Sequence, residues 1–304
     1  MKAIGAGLHP VEFGQPMPVS KLGEVVVVLK GEPPACIMPD PMPPCGWFMT
    51  QIVLSPDFDG DGRGEILTVD GLGHLFRYSL LANNTLGPWQ FLSGGSWLST
   101  KVYAPGDFDG DGLSDLIGVG STGKMYLYPG TGKLYHQYPD GGNPLGPKRQ
   151  IGQGWAGYKV FPVGDLTGDG IADLLAIKES TGELFLYAGN GRGGFKYPYP
   201  KVGWGWKGFD LYAAGDVNKD GKADILSIDQ NGDLYFYAGR GNGTFAKRVK
   251  VGNGWTGYTL AAGADLNGDG LADIVSRDED GNLFFYAGMG AGQFAKRVRI
   301  ARGW

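Results

Sequence analysis

Five short segments bring acidic side chains together at a spacing that suits a metal ion. In each segment an oxygen-bearing side chain stands at positions 1, 3, 5 and 9, and position 6 is glycine. More than half of the chain's 31 acidic residues lie there, and their mutual repulsion calls for a counter-charge. The segments, called acidic loops 1 to 5, are DFDGDGRGE (57–65), DFDGDGLSD (107–115), DLTGDGIAD (165–173), DVNKDGKAD (216–224) and DLNGDGLAD (265–273).

Calcium is the metal ion that this pattern predicts. It takes about six to eight oxygen ligands at roughly 2.3–2.6 Å, and glycine at position 6 allows the backbone to turn sharply around one point. Position 7 adds its backbone carbonyl. Magnesium is disfavoured because it prefers to keep several waters. An EF-hand starts in the same way, but its glutamate at position 12 is missing, and each loop runs into a predicted strand rather than a helix.

The candidate metal ligands fall at five equivalent positions of each loop, so up to five Ca²⁺ ions are expected. Glu65 replaces aspartate at position 9, where its longer side chain either reaches the metal through both oxygens or spoils the geometry. Thr167 offers a neutral hydroxyl, which predicts a weaker third site. The full set is Asp57, Asp59, Asp61, Arg63, Glu65, Asp107, Asp109, Asp111, Leu113, Asp115, Asp165, Thr167, Asp169, Ile171, Asp173, Asp216, Asn218, Asp220, Lys222, Asp224, Asp265, Asn267, Asp269, Leu271 and Asp273.

A tryptophan that closes a glycine-rich turn recurs with the loops. The interval from one of these tryptophans to the next is 49 to 58 residues, and ten residues lead from each of the first five to the next acidic loop. The chain therefore contains five repeats, and the second carries an insertion within GKLYHQYPDGGNPLGPKRQ. The tryptophans are Trp47, Trp97, Trp155, Trp206, Trp255 and Trp304.

Each repeat has the pattern of four short strands separated by glycine-rich turns, with no helical periodicity. This predicts an all-β chain, a β-propeller of four-stranded blades. Residues 1–46 fit less well: GEVVVVLKG (23–31) is either part of a degenerate half-blade, which would make six blades, or part of an irregular arm. The favoured count is five, with blades at 47–96, 97–154, 155–205, 206–254 and 255–304.

The DxDxDGxxD loop between the first two predicted strands resembles the FG-GAP/VCBS calcium repeats of integrin α-subunit propellers and of many secreted bacterial proteins. The resemblance covers residues 47–304 and implies calcium at Asp57, Asp59, Asp61 and Glu65 and at the matching positions of the other loops. Integrin-type propellers have seven blades. The count of five and the VGxGW-like turns are more loosely similar to five-bladed tachylectin-type lectins, a similarity that implies sugar binding.

Composition and charge set the expected compartment and partners. No apolar run is long enough to span a bilayer, and the N-terminus lacks the apolar segment of a signal peptide, yet calcium loops favour an extracellular, secreted or surface location. Cys36 and Cys45 flank a proline-rich loop, as a disulfide or as two free thiols. The formal charge of −4 turns positive with calcium bound; the basic FAKRVKV and FAKRVRI segments then protect a sheet edge or attract anionic polymers. Nucleic acid is disfavoured as a partner.

The predicted function is binding rather than catalysis. Asp210 is the only acid on the predicted innermost strands, whereas glycoside hydrolysis needs two carboxylates, and no HExxH or GxSxG motif is present. No catalytic or cofactor-binding residue is predicted beyond the calcium ligands. The first hypothesis is a lectin-like or adhesion module that binds a glycan or cell-surface polymer. The alternatives are a protein-interaction scaffold or virion attachment protein, and a targeting module of a secreted glycoside or cell-wall hydrolase.

A tyrosine on the third predicted strand of every repeat is open to two interpretations. It either stacks on a sugar ring or packs between neighbouring sheets, and the equal placement in every repeat favours packing. These residues are Tyr78, Tyr128, Tyr187, Tyr237 and Tyr286.

Overall fold

A computed structural model of the chain describes residues 49–94, 97–133 and 143–304, which belong to one compact unit. The predictions for residues 1–46, including the Cys36 and Cys45 loop, lie outside the described residues, as does most of the insertion predicted for the second blade. Every regular element in the described part is a β-strand. None of its segments forms a helix with the length and hydropathy needed to cross a membrane.

The described strands form five antiparallel sheets of four strands each, together with one short hairpin. Each sheet takes its strands in chain order from the inner strand to the outer strand. Blade 1 comprises β1 (Gln51–Ser55), β2 (Glu65–Val69), β3 (Leu75–Ser79) and β4 (Gln90–Ser93). Blade 2 comprises β5 (Thr100–Gly106), β6 (Asp115–Gly120), β7 (Met125–Tyr128) and β8 (Arg149–Gly152).

The remaining three blades repeat this plan. Blade 3 comprises β9 (Tyr158–Gly164), β10 (Asp173–Lys178), β11 (Glu183–Tyr187) and β12 (Lys201–Gly203). Blade 4 comprises β13 (Asp210–Gly215), β14 (Asp224–Ile228), β15 (Leu234–Tyr237) and β16 (Val249–Gly252). Blade 5 comprises β17 (Thr259–Ala264), β18 (Asp273–Arg277), β19 (Leu283–Tyr286) and β22 (Val298–Ala301), with the hairpin β20 (Gly288–Gly290) and β21 (Gln293–Phe294) before its last strand.

The sheets are arranged as a five-bladed β-propeller, as the sequence predicts. The first strands of the blades surround a central channel. The second strands are buried almost throughout, because each lies inside a sheet that is covered by a neighbouring blade on both faces. The apolar clusters accordingly lie between blades rather than within one blade, each combining residues of two successive sheets.

A tryptophan–tyrosine contact recurs at every blade interface and closes the ring. Trp97 after blade 1 packs on Tyr128 of blade 2, with 4.6 Å between ring centroids. Trp304 at the end of blade 5 packs on Tyr78 of blade 1 at 4.9 Å, so the last repeat seals against the first. The tyrosine that recurs in every blade is therefore a packing residue between sheets, which is the interpretation that its equal placement favoured. The other three contacts join Trp155 to Tyr187, Trp206 to Tyr237 and Trp255 to Tyr286.

The outer edge of the last blade differs from the prediction. One interpretation of the sequence placed the whole FAKRVRI segment at a sheet edge, but Phe294 belongs to the hairpin strand β21 and the edge strand starts only at Val298. The Ala295 N–H donates to the Ala287 carbonyl at 2.8 Å, and this bond holds the chain in the hairpin before it reaches the sheet edge. The two basic residues Lys296 and Arg297 therefore lie in a connection rather than in a regular strand.

Candidate functional site

The acidic loops all lie at one end of the propeller channel. Each connects the first strand of a blade to the second, and the five first strands run in the same direction around the channel. The opposite mouth of the channel is formed by the beginnings of those strands. The propeller therefore gathers five acidic loops on one face.

Backbone N–H groups shape each loop around its first aspartate. In loop 2, the carboxylate of Asp107 accepts hydrogen bonds from the N–H groups of Gly110 at 2.7 Å and Gly112 at 2.9 Å. Both glycines have positive φ angles, 82° and 88°, which residues other than glycine rarely adopt. Asp111 accepts the Leu113 N–H at 2.9 Å. Equivalent bonds shape the other four loops.

Two of the loops bring three or more carboxylates within reach of one cation. In each set the ligand oxygens lie within 4.8 Å of one another, and the sets are Asp57, Asp59, Asp61 and Glu65 in loop 1 and Asp107, Asp109 and Asp111 in loop 2. One oxygen of Asp109, Oδ1, is buried and has no hydrogen-bond partner among the described residues. In loops 3 to 5 a neutral oxygen from Thr167, Asn218 or Asn267 stands at position 3 instead.

The aspartate at position 9 is a buried anchor in blades 2 to 5. Asp115 Oδ2 accepts the Phe108 and Asp109 N–H groups at 3.0 and 3.1 Å, and Oδ1 accepts the Gly130 N–H at 2.9 Å. These bonds tie the loop to the chain that follows the third strand. Asp173, Asp224 and Asp273 bond in the same way, to Gly189, Gly239 and Gly288 respectively.

The glycine in this anchor is required by a close approach of two backbone segments. A Cβ atom on Gly239 would lie 1.9 Å from the Ala223 carbonyl oxygen, and one on Gly130 would lie 2.2 Å from that of Ser114.

Burial raises the pKa of Asp115, Asp224 and Asp273 to about 6, although the N–H bonds act in the opposite direction. Burial likewise raises the pKa of Asp173. Without a cation, these loops hold carboxylates that are costly to ionise.

Blade 1 departs from this anchor, and the sequence analysis missed the residue responsible. The guanidinium of Arg77 on β3 contacts Asp59, and its Nη1 lies 3.1 Å from Glu65 Oε1. Arg77 also donates to the Gln90 side chain on β4. Glu65 keeps the bond from the Phe58 N–H, at 2.7 Å. A signal in the sequence was available, because the residue directly before the repeated tyrosine is apolar in the other four blades. It is Arg77 in blade 1, and Leu127, Leu186, Phe236 and Phe285 in blades 2 to 5.

The electrostatics of loop 1 follow from this contact. Burial raises the pKa of Asp59, but hydrogen bonding and charge attraction from Arg77 outweigh it and leave that pKa below its usual value. Burial raises the pKa of Glu65 to about 8, against the opposing effects of the Phe58 N–H and of Arg77. Two of the four carboxylates of loop 1 are thus engaged by a cation that belongs to the protein.

Loops 2 to 5 fit calcium by the chemistry of their donors. They present only oxygen ligands around a turn shaped by glycine, and loop 2 leaves a buried carboxylate oxygen without a hydrogen-bond partner in the described part of the protein. Half-exposed cations do approach these loops: Arg149 Nη2 lies 3.3 Å from Asp109, and Lys196 contacts Asp169. Both side chains are exposed, and ion pairs open to solvent contribute little to stability.

Sequence comparison places these loops in a known family. The FG-GAP-like repeat matches the chain over three overlapping ranges, 107–176, 165–227 and 216–276, each of which spans two successive acidic loops. The chain belongs to the FG-GAP-like repeat family. The matched FG-GAP-like ranges begin at the first residue of loop 2, so loop 1 lies before them. No curated protein matches the chain.

Solved structures similar to this FG-GAP-like chain include three proteins of low sequence identity. One is an Agrocybe aegerita lectin described as recognising non-reducing terminal N-acetylglucosamine (22% identity, 83% of this chain, 66% of that chain, TM-score 0.47). Another is the BP39L lectin from Burkholderia pseudomallei (15%, 82% and 69%, TM-score 0.47). The third is AofleA from Arthrobotrys oligospora (11%, 86% and 89%, TM-score 0.46). At such identities and TM-scores, these likenesses say nothing about what this chain binds.

A cleft between the last two FG-GAP-like blades combines aromatic rings with basic groups. It has a volume of about 310 Å³, and its walls include the half-buried Trp255, Tyr258 and Tyr286. Arg297 donates to the Tyr258 hydroxyl at 2.8 Å, and its guanidinium lies 4.3 Å from the centre of the Phe284 ring. The basic residues of this segment are therefore more than the solvated sheet edge that the sequence suggested.

The interface between blades 3 and 4 repeats this arrangement. Trp206 is half-buried, and the guanidinium of Arg248 lies 4.1 Å from the centre of the Tyr235 ring. Trp204, 82% exposed, stands in the turn where the blade 4–blade 5 cleft has Asn253.

The other interfaces differ from these two. At the interface between blades 2 and 3, Tyr199 stacks on Tyr187 at 4.5 Å and Trp155 is buried. Trp97 and Trp304 are buried as well, so the partly exposed interface tryptophans in the described part are Trp206 and Trp255.

The central channel offers a different environment. Its volume is about 400 Å³ and its walls are mostly apolar. Among the described residues that line it, Asp210 is the one carboxylate, and it forms an ion pair with Lys159 at 2.6 Å. Burial raises the pKa of the Tyr103 phenol on the channel wall to about 12, so this group stays neutral.

Proposed function

We propose that this protein is a non-catalytic, calcium-stabilised propeller that binds glycans outside the cell. The observation that carries the proposal is the cleft between blades 4 and 5. Its volume of about 310 Å³ is near the lower end of the range for ligand pockets, roughly 300–1,000 Å³. A pocket of that size suits one sugar ring rather than a folded partner.

The chemistry of the cleft matches the two kinds of surface that a sugar presents. The indole of Trp255 and the phenol of Tyr258 offer flat faces against which the C–H face of a pyranose packs. Asn253, Lys296 and Arg297 bring hydrogen-bond donors that hydroxyl or carboxylate groups of a sugar accept. The interface between blades 3 and 4, with Trp206 and Arg248, supplies a second site of the same type.

Two such clefts make the binding bivalent. A single sugar in a small, exposed cleft binds weakly, whereas a polymer or a cell surface that engages both clefts gains affinity without new contacts. The partner we propose is therefore a repeated glycan on a surface. An extracellular location agrees with calcium sites of FG-GAP-like type, whose affinity we expect to be on the order of 10⁻⁴ M, as in extracellular modules.

The absence of catalysis is part of the proposal. Glycoside hydrolysis uses two carboxylates on either side of the scissile bond. The channel wall brings one, Asp210, and Lys159 neutralises it. The blade 4–blade 5 cleft brings none among its lining residues.

A glycan array tests the proposal, with the wild-type protein and two variants in calcium-containing buffer. Because Arg248 and Arg297 are exposed, replacing both by alanine should leave the fold intact and abolish binding to immobilised glycans. Lys148→Ala is the matched control, because Lys148 occupies the position of Arg297 in blade 2, where Trp97 is buried. We expect it to bind as the wild type does.

A blank array for the wild-type protein would contradict the glycan proposal. Binding to whole cells that persists on a blank array would instead favour a surface protein as the partner. Equal loss in the double variant and in Lys148→Ala would show that charge, rather than the two clefts, governs binding.

A further inference from the structure

We propose that blade 1 replaces the calcium ion of its acidic loop with the guanidinium of Arg77, so that calcium occupies loops 2 to 5 and not loop 1. This inference rests on the calcium binding proposed above for the other loops. It differs from the expectation of up to five bound calcium ions, and it places the guanidinium of Arg77 where the fifth cation would be.

The contacts of Arg77 are those of a cation held by the loop. Its side chain is 2% exposed, and its Nη1 lies between Asp59 and Glu65, which is itself 1% exposed. The second nitrogen, Nη2, is held by Gln90. Position 3 and position 9 of loop 1 are thus both turned towards an arginine instead of a metal ion.

Three departures from the repeat occur together in blade 1. Arg77 replaces leucine or phenylalanine, Glu65 replaces aspartate, and Leu80 replaces the glycine whose N–H anchors the aspartate in the other blades. The three changes make one arrangement. Because the longer Glu65 side chain pairs with Arg77, the loop has a different anchor and no longer needs the glycine.

Burial distinguishes Arg77 from the other cations near the loops. Arg149 is 45% exposed beside Asp109, although its guanidinium also donates to the Arg192 carbonyl at 2.9 Å, and Lys196 is 47% exposed beside Asp169. Both side chains can therefore move away from their aspartates when calcium arrives. Arg77 has no such route. If it left, Glu65 would remain buried as an unpaired acid, which is strongly unfavourable.

The charge of Arg77 opposes a metal ion at the same place. An arginine guanidinium carries a full positive charge. A divalent cation bound by Asp57, Asp59 and Asp61 would lie beside it, and little solvent would screen the repulsion because Arg77 is buried. The negative charge of the loop favours one cation, and the Arg77 guanidinium already supplies it.

Counting bound calcium in matched variants tests this inference. The 304-residue protein is stripped with a chelator and titrated with Ca²⁺, and its bound ions are counted by native mass spectrometry. Asp61 and Asp111 are exposed residues at position 5 of loops 1 and 2, so Asp61→Asn and Asp111→Asn should both fold. We expect four ions in the wild type, four in Asp61→Asn and three in Asp111→Asn.

A fifth ion in the wild type that disappears in Asp61→Asn would overturn the inference while leaving calcium binding by the family loops intact. No uptake by the wild type would overturn the calcium proposal and this inference with it. The triple variant Arg77→Leu, Glu65→Asp and Leu80→Gly gives loop 1 the pattern of the other blades. It should gain a fifth ion, and a folded triple variant that still binds four would count against Arg77 as the reason.

Discussion

Blades 1 and 2 begin their acidic loops with the same six residues, DFDGDG, and then diverge. In blade 2, Asp115 is anchored by backbone N–H groups, and the loop leaves a carboxylate oxygen of Asp109 without a hydrogen-bond partner in the described structure. In blade 1, Glu65 pairs with the buried Arg77. We therefore propose that the same turn is balanced in two ways, by a cation from the medium in blade 2 and by one from the chain itself in blade 1.

This difference implies that the charge balance of the acidic loops depends on the medium in blades 2 to 5 and on the protein's own side chains in blade 1. We expect the electrostatics of blades 2 to 5 to change with calcium and with pH. Blade 1 has an internal ion pair between Arg77 and Asp59, which neither chelation nor moderate salt should remove. Since blade 1 also meets blade 5 at the closure of the ring, through Tyr78 and Trp304, a calcium-independent blade lies at the seam of the propeller.

Removing calcium should have the largest effect, and it should spare loop 1. At about ten times the dissociation constant, each site adds roughly 1.4 kcal/mol, so four sites add about 6 kcal/mol to the free energy of unfolding. Urea denaturation with calcium and with EDTA measures the total. Hydrogen exchange resolves the loops: the Gly112 amide of loop 2 should lose protection in EDTA, and the Gly62 amide of loop 1 should not. Equal loss at both amides would break the comparison.

Arg77→Leu should have the next largest effect. It leaves the carboxylate of Asp59 and the buried Glu65 without their cation, which costs about 3–5 kcal/mol in the free energy of unfolding. Arg149→Leu is the control, because Arg149 is half-exposed: its ion pair with Asp109 contributes less than about 1 kcal/mol, and its hydrogen bonds to the Arg192 and Gly193 carbonyls add about 1 kcal/mol at most. Urea denaturation of both variants in EDTA gives the two values. Similar values would mean that Arg77 is an ordinary surface-type contact.

The fold and most of the candidate ligands could be predicted because they repeat. The tryptophan turns and acidic loops recur in register, and five copies of Asp107, Gly112 and their equivalents define a loop on their own. The role of Arg77 could not be predicted from the repeat, because Arg77 lies on another strand, 12 residues after Glu65. An arginine on the third strand of a blade does not by itself indicate a contact with the acidic loop. Only a comparison of the blades position by position connects its departure with that of Glu65.

The clefts at the blade interfaces could not be predicted from the repeat either. The sequence predicts five equivalent interfaces, since each has the same tryptophan and tyrosine. The structure separates them through residues outside that pattern: Tyr199 covers Tyr187 at one interface, whereas Arg248 and Arg297 border half-buried tryptophans at two others. Such differences depend on how variable connections fold back over the sheet, which no repeat encodes.

The pH dependence should be the smallest effect and should appear only without calcium. Asp115, Asp224 and Asp273 have pKa values of about 6 when folded, against about 3.9 when unfolded. Between these values the folded state binds more protons, so the free energy of unfolding falls as pH rises through the window. In EDTA, lowering the pH from 7 to 5 should therefore stabilise the protein by about 1 kcal/mol per carboxylate.

With calcium present the same carboxylates stay ionised, and this stabilisation on acidification should be much reduced. Thermal melts at pH 5, 6 and 7 in the two buffers measure the contrast. Parallel curves in EDTA and in calcium would contradict the link between the buried aspartates and the metal ion.

The most direct test of the account is an anomalous-difference map of crystals grown with calcium. We expect four peaks, each within about 2.3–2.6 Å of side-chain oxygens of loops 2 to 5. No peak should appear at loop 1, where the Arg77 guanidinium should lie between Asp59 and Glu65. A peak in loop 1 of equal height to the others, or loops 2 to 5 without peaks at saturating calcium, would contradict it.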